Sequence, residues 1–143
     1  MSEHIHRRDQ HNTGNVRQSI ASYAAAEPTV ILMVFLGSAS RGDAGGSYDF
    51  EIGYLADPGF DAVTFQGLAA TVLGLERVAM ADLRHAASTA FRAAREGALV
   101  YERVPDGYAE FRERAIHNWC EIAPVLNAAY DRIEGMVPPG AAR

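Results

Sequence analysis

The sequence predicts a single α/β domain that ends in a long helix, and three observations support this fold class. Residues Thr29–Leu36 are β-branched or apolar without alternation, and the flanking Pro28 and Gly37 favour a strand covered on both faces. Further short strand-like segments are separated by segments with helical spacing. Apolar residues at spacings of three and four then run through the last quarter of the chain, as expected for one long helix.

The composition fits one domain of ordinary size, with 143 residues of which 48% are hydrophobic. A net charge of −5 argues against a general affinity for nucleic acid backbone. All 13 basic residues are arginine, so a Walker-type phosphate loop and a Schiff-base lysine are excluded.

The cysteine count and the hydropathy pattern predict the cellular location. Cys120 is the only cysteine, so no intramolecular disulfide can form, and a reducing cytoplasm suits that count. We find no signal peptide pattern and no apolar run long enough to span a bilayer. We therefore expect a cytoplasmic protein without a membrane contact.

The chain begins with a polar tail. Residues 1–14 carry three of the five histidines and could bind a metal, but a disordered, solvated terminus is the favoured interpretation. Residues Asn15–Ala26 have helical spacing, and Pro28 ends this first helix.

Turns, strands and a helix alternate in the middle of the chain. The predicted elements are a flexible turn over 37–47, a strand over Tyr48–Leu55, a turn over Ala56–Gly59, a helix over 60–74 and a third strand over Arg77–Leu83.

The last third is predicted to be mainly helical. A helix over His85–Gly97 is closed by its glycine, and Ala98–Arg103 form a short strand or an extended link. Pro105 should open the long last helix and Pro124 should kink it, and Gly135 with Pro138–Pro139 should stop it. We expect one domain over 15–135 and a flexible tail over 136–143.

The last helix carries one long apolar seam. Its members are Tyr108, Phe111, Ala115, Trp119, Ile122, Leu126, Ala129 and Ile133. Most of the seam is expected to pack on the sheet, whereas part of it could be left for a neighbouring protein. The aromatic residues could alternatively anchor a partner.

Two carboxylates lie close together on the second predicted strand. Asp49 and Glu51 are two residues apart, so both side chains point to one face, while Phe50 and Ile52 point to the core. Adjacent carboxylates repel each other unless a cation lies between them, and Mg²⁺ prefers such oxygen ligands. A polar edge hairpin with a glycine-rich loop is the structural alternative.

The turn before this strand is suited to an anion. Gly37 and Ser38 directly follow the buried strand, where backbone N–H groups and a hydroxyl could contact a phosphate. A phosphate donor beside a metal is the arrangement that in-line phosphoryl or nucleotidyl transfer requires.

These residues resemble a known signature. Gly37-Ser38, ten residues, and then Asp49-x-Glu51 are similar to the motif of the polymerase-β-like nucleotidyltransferases, and the match includes Arg41. The later segments VAMADLRHA and REGALVYER resemble the minimal nucleotidyltransferase (MNT) proteins, which pair with HEPN-domain toxins in bacterial toxin–antitoxin modules. The similarity covers residues 30–103.

The resemblance implies a small mixed sheet with flanking helices, the polymerase-β-like nucleotidyltransferase fold. It implies that Gly37, Ser38 and Arg41 bind ATP and that Asp49 and Glu51 bind Mg²⁺ as the catalytic carboxylates. The implied reaction is transfer of AMP to a hydroxyl, often a tyrosine, of a HEPN ribonuclease toxin, which neutralises the toxin. Direct binding of nucleic acid is not expected.

The sequence departs from the family pattern at two positions. Ala79 replaces the acid that normally serves as the third catalytic carboxylate, and loss of a positioned general base typically costs about 10²–10⁴-fold in rate. Asp82 is a poor replacement because residues 79 and 81 share a strand face from which 82 points away. Tyr48 replaces the usual serine before Asp49 and could crowd the pocket.

Three functional hypotheses follow. The first is an active adenylyltransferase antitoxin, and the second is a degenerate antitoxin that neutralises its partner by binding alone. The third, a drug-modifying nucleotidyltransferase, is disfavoured because the chain is too short to supply that enzyme's substrate half.

A few other polar residues have weaker functional interpretations. Arg84, Arg92 and Arg95 could contact phosphate or an acidic partner, although a solvated face is the more common role. The isolated histidines, His85 and His117, are predicted to be non-catalytic, and Cys120 to be inert.

Overall fold

A computed structural model describes residues 15–37, 50–74 and 77–136 of the chain. These residues form four helices and a four-stranded sheet. The elements are α1 (15–26), β1 (Val30–Leu36), β2 (Phe50–Ala56), α2 (Ala62–Leu73), β3 (Val78–Asp82), α3 (Ala87–Glu96), β4 (Ala98–Glu102) and α4 (Gly107–Met136). The predicted α/β fold class is confirmed.

The sheet is mixed, with strand order β3-β2-β1-β4. Strand β1 is antiparallel to both β2 and β4, whereas β2 and β3 are parallel. The parallel pair is possible because α2 supplies the crossover connection between its two strands. The open alternative for residues 98–103 is therefore resolved in favour of a strand, β4.

Strand β1 is an interior strand, and its burial explains its sequence. Apart from Ile31, which is half-buried, all of its side chains are buried. Met33 and Val34 on opposite faces are both fully inaccessible. A strand that is covered on both faces has no polar side, so its apolar residues do not alternate with polar ones. This continuous apolar run is the pattern that predicted β1.

Helices cover both faces of the sheet and define two cores. On one face, α1 and α2 contribute Ile20 and Phe65, which pack against Met33, Phe35 and Ile52. On the other face, α3 and the beginning of α4 supply partners for the remaining strand residues. The residues of this second core are Leu32, Val34, Leu36, Leu83 and Ala93, with Tyr108 and Phe111 packed against them.

Helix α2 has well-formed ends, which is why its bounds were predicted closely. The Asp61 side chain accepts a hydrogen bond from the Thr64 N–H at 3.1 Å, and Gly74 ends the helix in the left-handed conformation. These hydrogen bonds lower the pKa of Asp61; the side-chain bond from the Thr64 hydroxyl has the largest effect.

Helix α3 begins two residues later than the predicted His85. The Asp82 carboxylate accepts the Arg84 N–H at 2.9 Å, and the His85 N–H bonds to the Asp82 carbonyl oxygen, so a turn occupies these positions. The predicted glycine at the end is in place, but Gly97 has extended rather than left-handed backbone angles.

Helix α4 begins at Gly107, two residues after the predicted start at Pro105. A turn intervenes, and within it Asp106 has the positive φ of 64°. The helix continues through Pro124 and Gly135 to Met136. The helix thus ends one residue after Gly135, while Pro138 and Pro139 lie outside the described residues, and the kink at Pro124 stays a prediction. Of the two predicted tails, 1–14 and 136–143, only Met136 is described, and it belongs to α4; residues 1–14 and 137–143 lie outside the described residues.

The apolar seam of α4 is divided in two. In the inner half (107–119), Ala115 is buried against Ala90 and Ala94 of α3, and Trp119 stacks on Phe91 with ring centroids 5.3 Å apart. In the outer half (120–136), every side chain is exposed except that of Ala123, which is half-buried. The exposed large apolar residues there are Ile122, Val125, Leu126, Tyr130, Ile133 and Met136.

The expectation that most of the seam packs on the sheet is therefore wrong for its outer half, where α4 continues beyond the described elements that could cover it. No helix within residues 15–37, 50–74 and 77–136 is long and apolar enough to cross a membrane.

Candidate nucleotide and metal site

The candidate site lies where β1 ends and β2 begins. Gly37 follows β1 with φ of 68°, a left-handed conformation that glycine adopts without steric cost. The antiparallel register places Glu51 opposite Leu36, next to this glycine. A Cβ built on Gly37 would lie 3.8 Å from Glu51 Oε2, so the turn backbone and the carboxylate are close neighbours.

Ala79 lies directly beside Glu51. In the parallel pairing of β2 with β3, Glu51 is the register partner of Ala79, so the two side chains share one face of the sheet. A carboxylate at position 79 would therefore be next to Glu51. The alanine leaves this neighbouring position without an acidic group.

Arg92 of α3 makes an ion pair with Glu51. The guanidinium Nη2 donates to Glu51 Oε1, and the side chains are 43% and 28% exposed respectively. From the sequence, Arg92 was one of three arginines with a possible contact to phosphate or to an acidic partner, and a solvated face was the more common role. The only feature of the sequence that pointed to Arg92 was its position on the helix after β3. Its pairing with Glu51 could not be predicted, because the pairing depends on how α3 packs across the sheet.

Asp82 is remote from this pair. It is the register partner of Tyr54, and both lie on the opposite face from Glu51. Burial, and to a smaller extent the negative charge of Asp82, raise the pKa of the Tyr54 hydroxyl. Since the Asp82 carboxylate accepts the Arg84 N–H, its role is to hold the turn after β3. The inference that Asp82 cannot take the place of Ala79 agrees with this geometry.

The other predicted site residues, Ser38, Arg41 and Asp49, lie outside the described residues, as does Tyr48. Their roles in binding ATP and Mg²⁺ stay predictions. Gly37 and Glu51 are the two site residues that the structure brings together.

Mg²⁺ fits the described part of this site only in part. No group of three or more histidine, cysteine, aspartate or glutamate side chains comes together within residues 15–37, 50–74 and 77–136. Glu51 offers carboxylate oxygens of the type that Mg²⁺ prefers, but one of them accepts from Arg92. A complete metal site would need a further ligand, for which the sequence offers Asp49.

The other arginines and histidines named from the sequence lie in helices α3 and α4 or just before α3. The Arg84 guanidinium donates to the carbonyl oxygen of Ala56, and Arg95 lies in the last turn of α3, where its charge favours the helix dipole. His117 Nε2 lies 3.2 Å from Glu121 Oε1 on the exposed surface of α4. His85 is exposed.

No protein-family model matches the sequence, and no curated protein matches it significantly. Solved structures match the fold over most of the chain. One is a toxin–antitoxin complex with AMP-PNP, with 19% identity, a TM-score of 0.68, and coverage of 82% of this chain and 98% of that one. Another is the MntA–HepT complex, with 17% identity, a TM-score of 0.64, and coverage of 87% and 98%.

A third match contains a tri-AMPylated HEPN toxin from Shewanella oneidensis in complex with its MNT antitoxin. It has 18% identity, a TM-score of 0.64, and coverage of 88% of this chain and 98% of that one. The chain has the MNT fold. The resemblance to MNT nucleotidyltransferases is thus confirmed in the fold.

Proposed function

We propose that the protein is an MNT-type antitoxin that transfers AMP from ATP to a hydroxyl, typically of a tyrosine, on a HEPN ribonuclease toxin. The observation that carries the proposal is the approach of Glu51 to the left-handed turn at Gly37. In this arrangement, the backbone of the turn can contact the phosphates of a nucleotide. The neighbouring carboxylate can bind the metal that accompanies those phosphates. The MNT fold, which similar chains display in complexes with AMP-PNP and with an AMPylated toxin, supports the same assignment.

The roles of the residues follow from this proposal. Gly37, Ser38 and Arg41 hold the triphosphate, and Asp49 and Glu51 hold Mg²⁺, which neutralises charge on the phosphates when bound. The attacking hydroxyl forms a bond to the α-phosphorus, the bond to the β-phosphate oxygen breaks, and pyrophosphate leaves. Because Ala79 cannot accept the hydroxyl proton, water takes it, and the reaction is slower than with a third carboxylate.

A second candidate function is neutralisation by binding alone. It is favoured by Ala79, which lies beside Glu51 where a third acid would stand. In both functions the outer half of α4 is the proposed contact surface for the HEPN toxin, since the structurally similar chains occur in complexes with HEPN toxins and this apolar surface is exposed here.

Intact mass measurement distinguishes the two functions. The protein is incubated with ATP, Mg²⁺ and a HEPN toxin encoded beside it, and addition of one or more AMP units to the toxin establishes transfer. Asp49→Ala should abolish the mass increase, whereas Ala79→Asp should accelerate it. If a tight complex forms and ribonuclease activity stops without any AMP, the binding-only function is correct. If neither occurs, the antitoxin assignment fails.

A further inference from the structure

The surroundings of Glu51 leave its charge poorly compensated by its strand neighbours. Its register partners are Leu36 on β1, which is 1% exposed, and Ala79 on β3. Neither side chain can donate a hydrogen bond. Since the Glu51 side chain is only 28% exposed, it has lost much of its contact with water, and a carboxylate in this position needs a cation or a donor.

Arg92 supplies that cation from a fixed position. It lies in the middle of α3, and the next residue, Ala93, is fully buried against the sheet together with Leu36. The packing of α3 therefore fixes the backbone position of Arg92. A guanidinium is always charged at physiological pH and does not need to be captured from solution.

We propose that Arg92 is a built-in counter-cation of Glu51 and competes with a divalent cation for this carboxylate. Arg92 contacts Oε1, while Oε2 is directed towards the Gly37 turn. A metal that takes both oxygens must displace the guanidinium, whereas a metal on Oε2 alone shares the charge of the carboxylate with it. In both cases Arg92 lowers the affinity of Glu51 for the metal.

The substitution at position 79 makes this competition effective. Three carboxylates beside one arginine would retain more negative charge for a metal, whereas Ala79, the register partner of Glu51 on β3, contributes none to offset Arg92. Ala79 and Arg92 thus act in the same direction. The inference rests on the proposed function in one respect, namely that Glu51 is a metal ligand.

Binding of Mn²⁺ to the full-length chain, measured by titration calorimetry and by the loss of the free Mn²⁺ electron paramagnetic resonance signal, tests the inference without ATP or toxin. Arg92→Gln should bind Mn²⁺ roughly two- to fivefold more tightly than the parent, because the pair is still partly exposed and solvent limits its energy. Arg95→Gln is the matched control. It removes the same charge one turn further along α3, takes no part in the pair with Glu51, and should change the affinity by less than about twofold.

Two further measurements make the result decisive. Glu51→Gln should abolish the tighter binding when combined with Arg92→Gln, and raising the salt concentration should narrow the difference between Arg92→Gln and the parent. Unchanged or weaker Mn²⁺ binding by Arg92→Gln would overturn the inference, as would an equal gain in Arg95→Gln. The experiment measures metal binding alone. The effect of Arg92 on the Mn²⁺ affinity can therefore be present even if no AMP is transferred to a toxin, and AMP transfer can occur even if Arg92 has no effect on that affinity.

Discussion

The two halves of α4 have similar apolar patterns and opposite environments. Both carry apolar residues at spacings of three and four, but Ala115 in the inner half is 5% exposed, whereas Ile133 in the outer half is 57% exposed. The inner half contacts α3 and the sheet, and the outer half extends beyond them. Helical periodicity thus identifies which face of a helix is apolar without telling what that face will meet.

The inner half of α4 is expected to contribute to folding, and the outer half to the binding of a partner. Contacts of the inner half belong to the core and should determine the stability of the domain. Isolated helical segments are marginal in water, so the outer half gains little from its own chain and would gain most from a partner that covers it. Matched substitutions in the two halves test this division.

The largest effect is expected from Ala115→Glu. A carboxylate at this position would be desolvated against Ala90 and Ala94, where only an alanine side chain is accommodated, and the free energy of unfolding should fall by about 3 kcal/mol. Ala129→Glu makes the same chemical change on the exposed outer half and is the control. Urea unfolding followed by circular dichroism should show a large loss for the first variant and nearly none for the second; equal losses would contradict the division.

A smaller loss is expected where the inner half meets α3. A Cβ at Gly97 would clash with the backbone carbonyl oxygen of Ala93 and lie 3.2 Å from the Tyr108 hydroxyl. Gly97→Ala should therefore destabilise the domain by about 2 kcal/mol, since the backbone must shift. Gly135→Ala is the control in the outer half, where an added Cβ has no neighbour within 4 Å. This control should be neutral or slightly stabilising because alanine is the better helix former.

The outer half should respond in binding rather than in folding. Leu126→Glu places a charge on the exposed apolar surface, and we expect it to weaken the complex with a HEPN toxin by at least tenfold, about 1.4 kcal/mol, without changing the urea midpoint. The toxin complex is measured by titration calorimetry, with Asn127→Glu as a control for added charge. If sedimentation shows that the parent chain self-associates through this surface and that Leu126→Glu makes it monomeric, a second copy rather than the toxin covers the outer half.

The smallest effect concerns one hydroxyl of the inner half. Tyr108 Oη donates to the carbonyl oxygen of Ala93 at 2.9 Å and lies 3.1 Å from that of Gly97, at the end of α3. Tyr108→Phe should cost about 1 kcal/mol. Tyr130→Phe in the exposed outer half should cost nearly nothing.

The same residue predicts a pH dependence. Burial raises the pKa of the Tyr108 hydroxyl in the folded chain above that of the unfolded chain. Its contribution is therefore complete below the unfolded pKa, about 10, and is lost as the pH rises through the folded value. The difference in stability between the parent and Tyr108→Phe should shrink in that alkaline range, and a difference that grows there would contradict this assignment.

Much of the fold was predictable because local chemistry decides it. The unalternating run of β1 identified a strand covered on both faces, and Gly74 placed the end of α2 within one residue. Errors occurred where a side chain outcompeted the expected pattern. The Asp82 carboxylate holds a turn that delays the start of α3, and the turn at Asp106 delays α4 beyond Pro105.

The candidate site was predictable in part. Spacing placed Glu51 on the opposite strand face from Ile52, and the register confirms Ala79 as its neighbour. The pairing of Glu51 with Arg92 was not predictable, because the two residues are 41 positions apart and meet only when α3 packs on the sheet. The point at which the α4 seam changes from packed to exposed was likewise not predictable, since it depends on where the sheet ends in space.

Pro124 lies in the outer half of α4, five residues beyond Trp119, which stacks on Phe91 of α3, and this position has a mechanical consequence. Proline has no N–H to donate, so the helix lacks one of its backbone hydrogen bonds where side-chain support from α3 also ends. Bending stiffness is therefore lowest at this point. We therefore expect the segment from Pro124 to Met136, about 20 Å long, to change its angle to the sheet more readily than the rest of α4 while both segments remain helical.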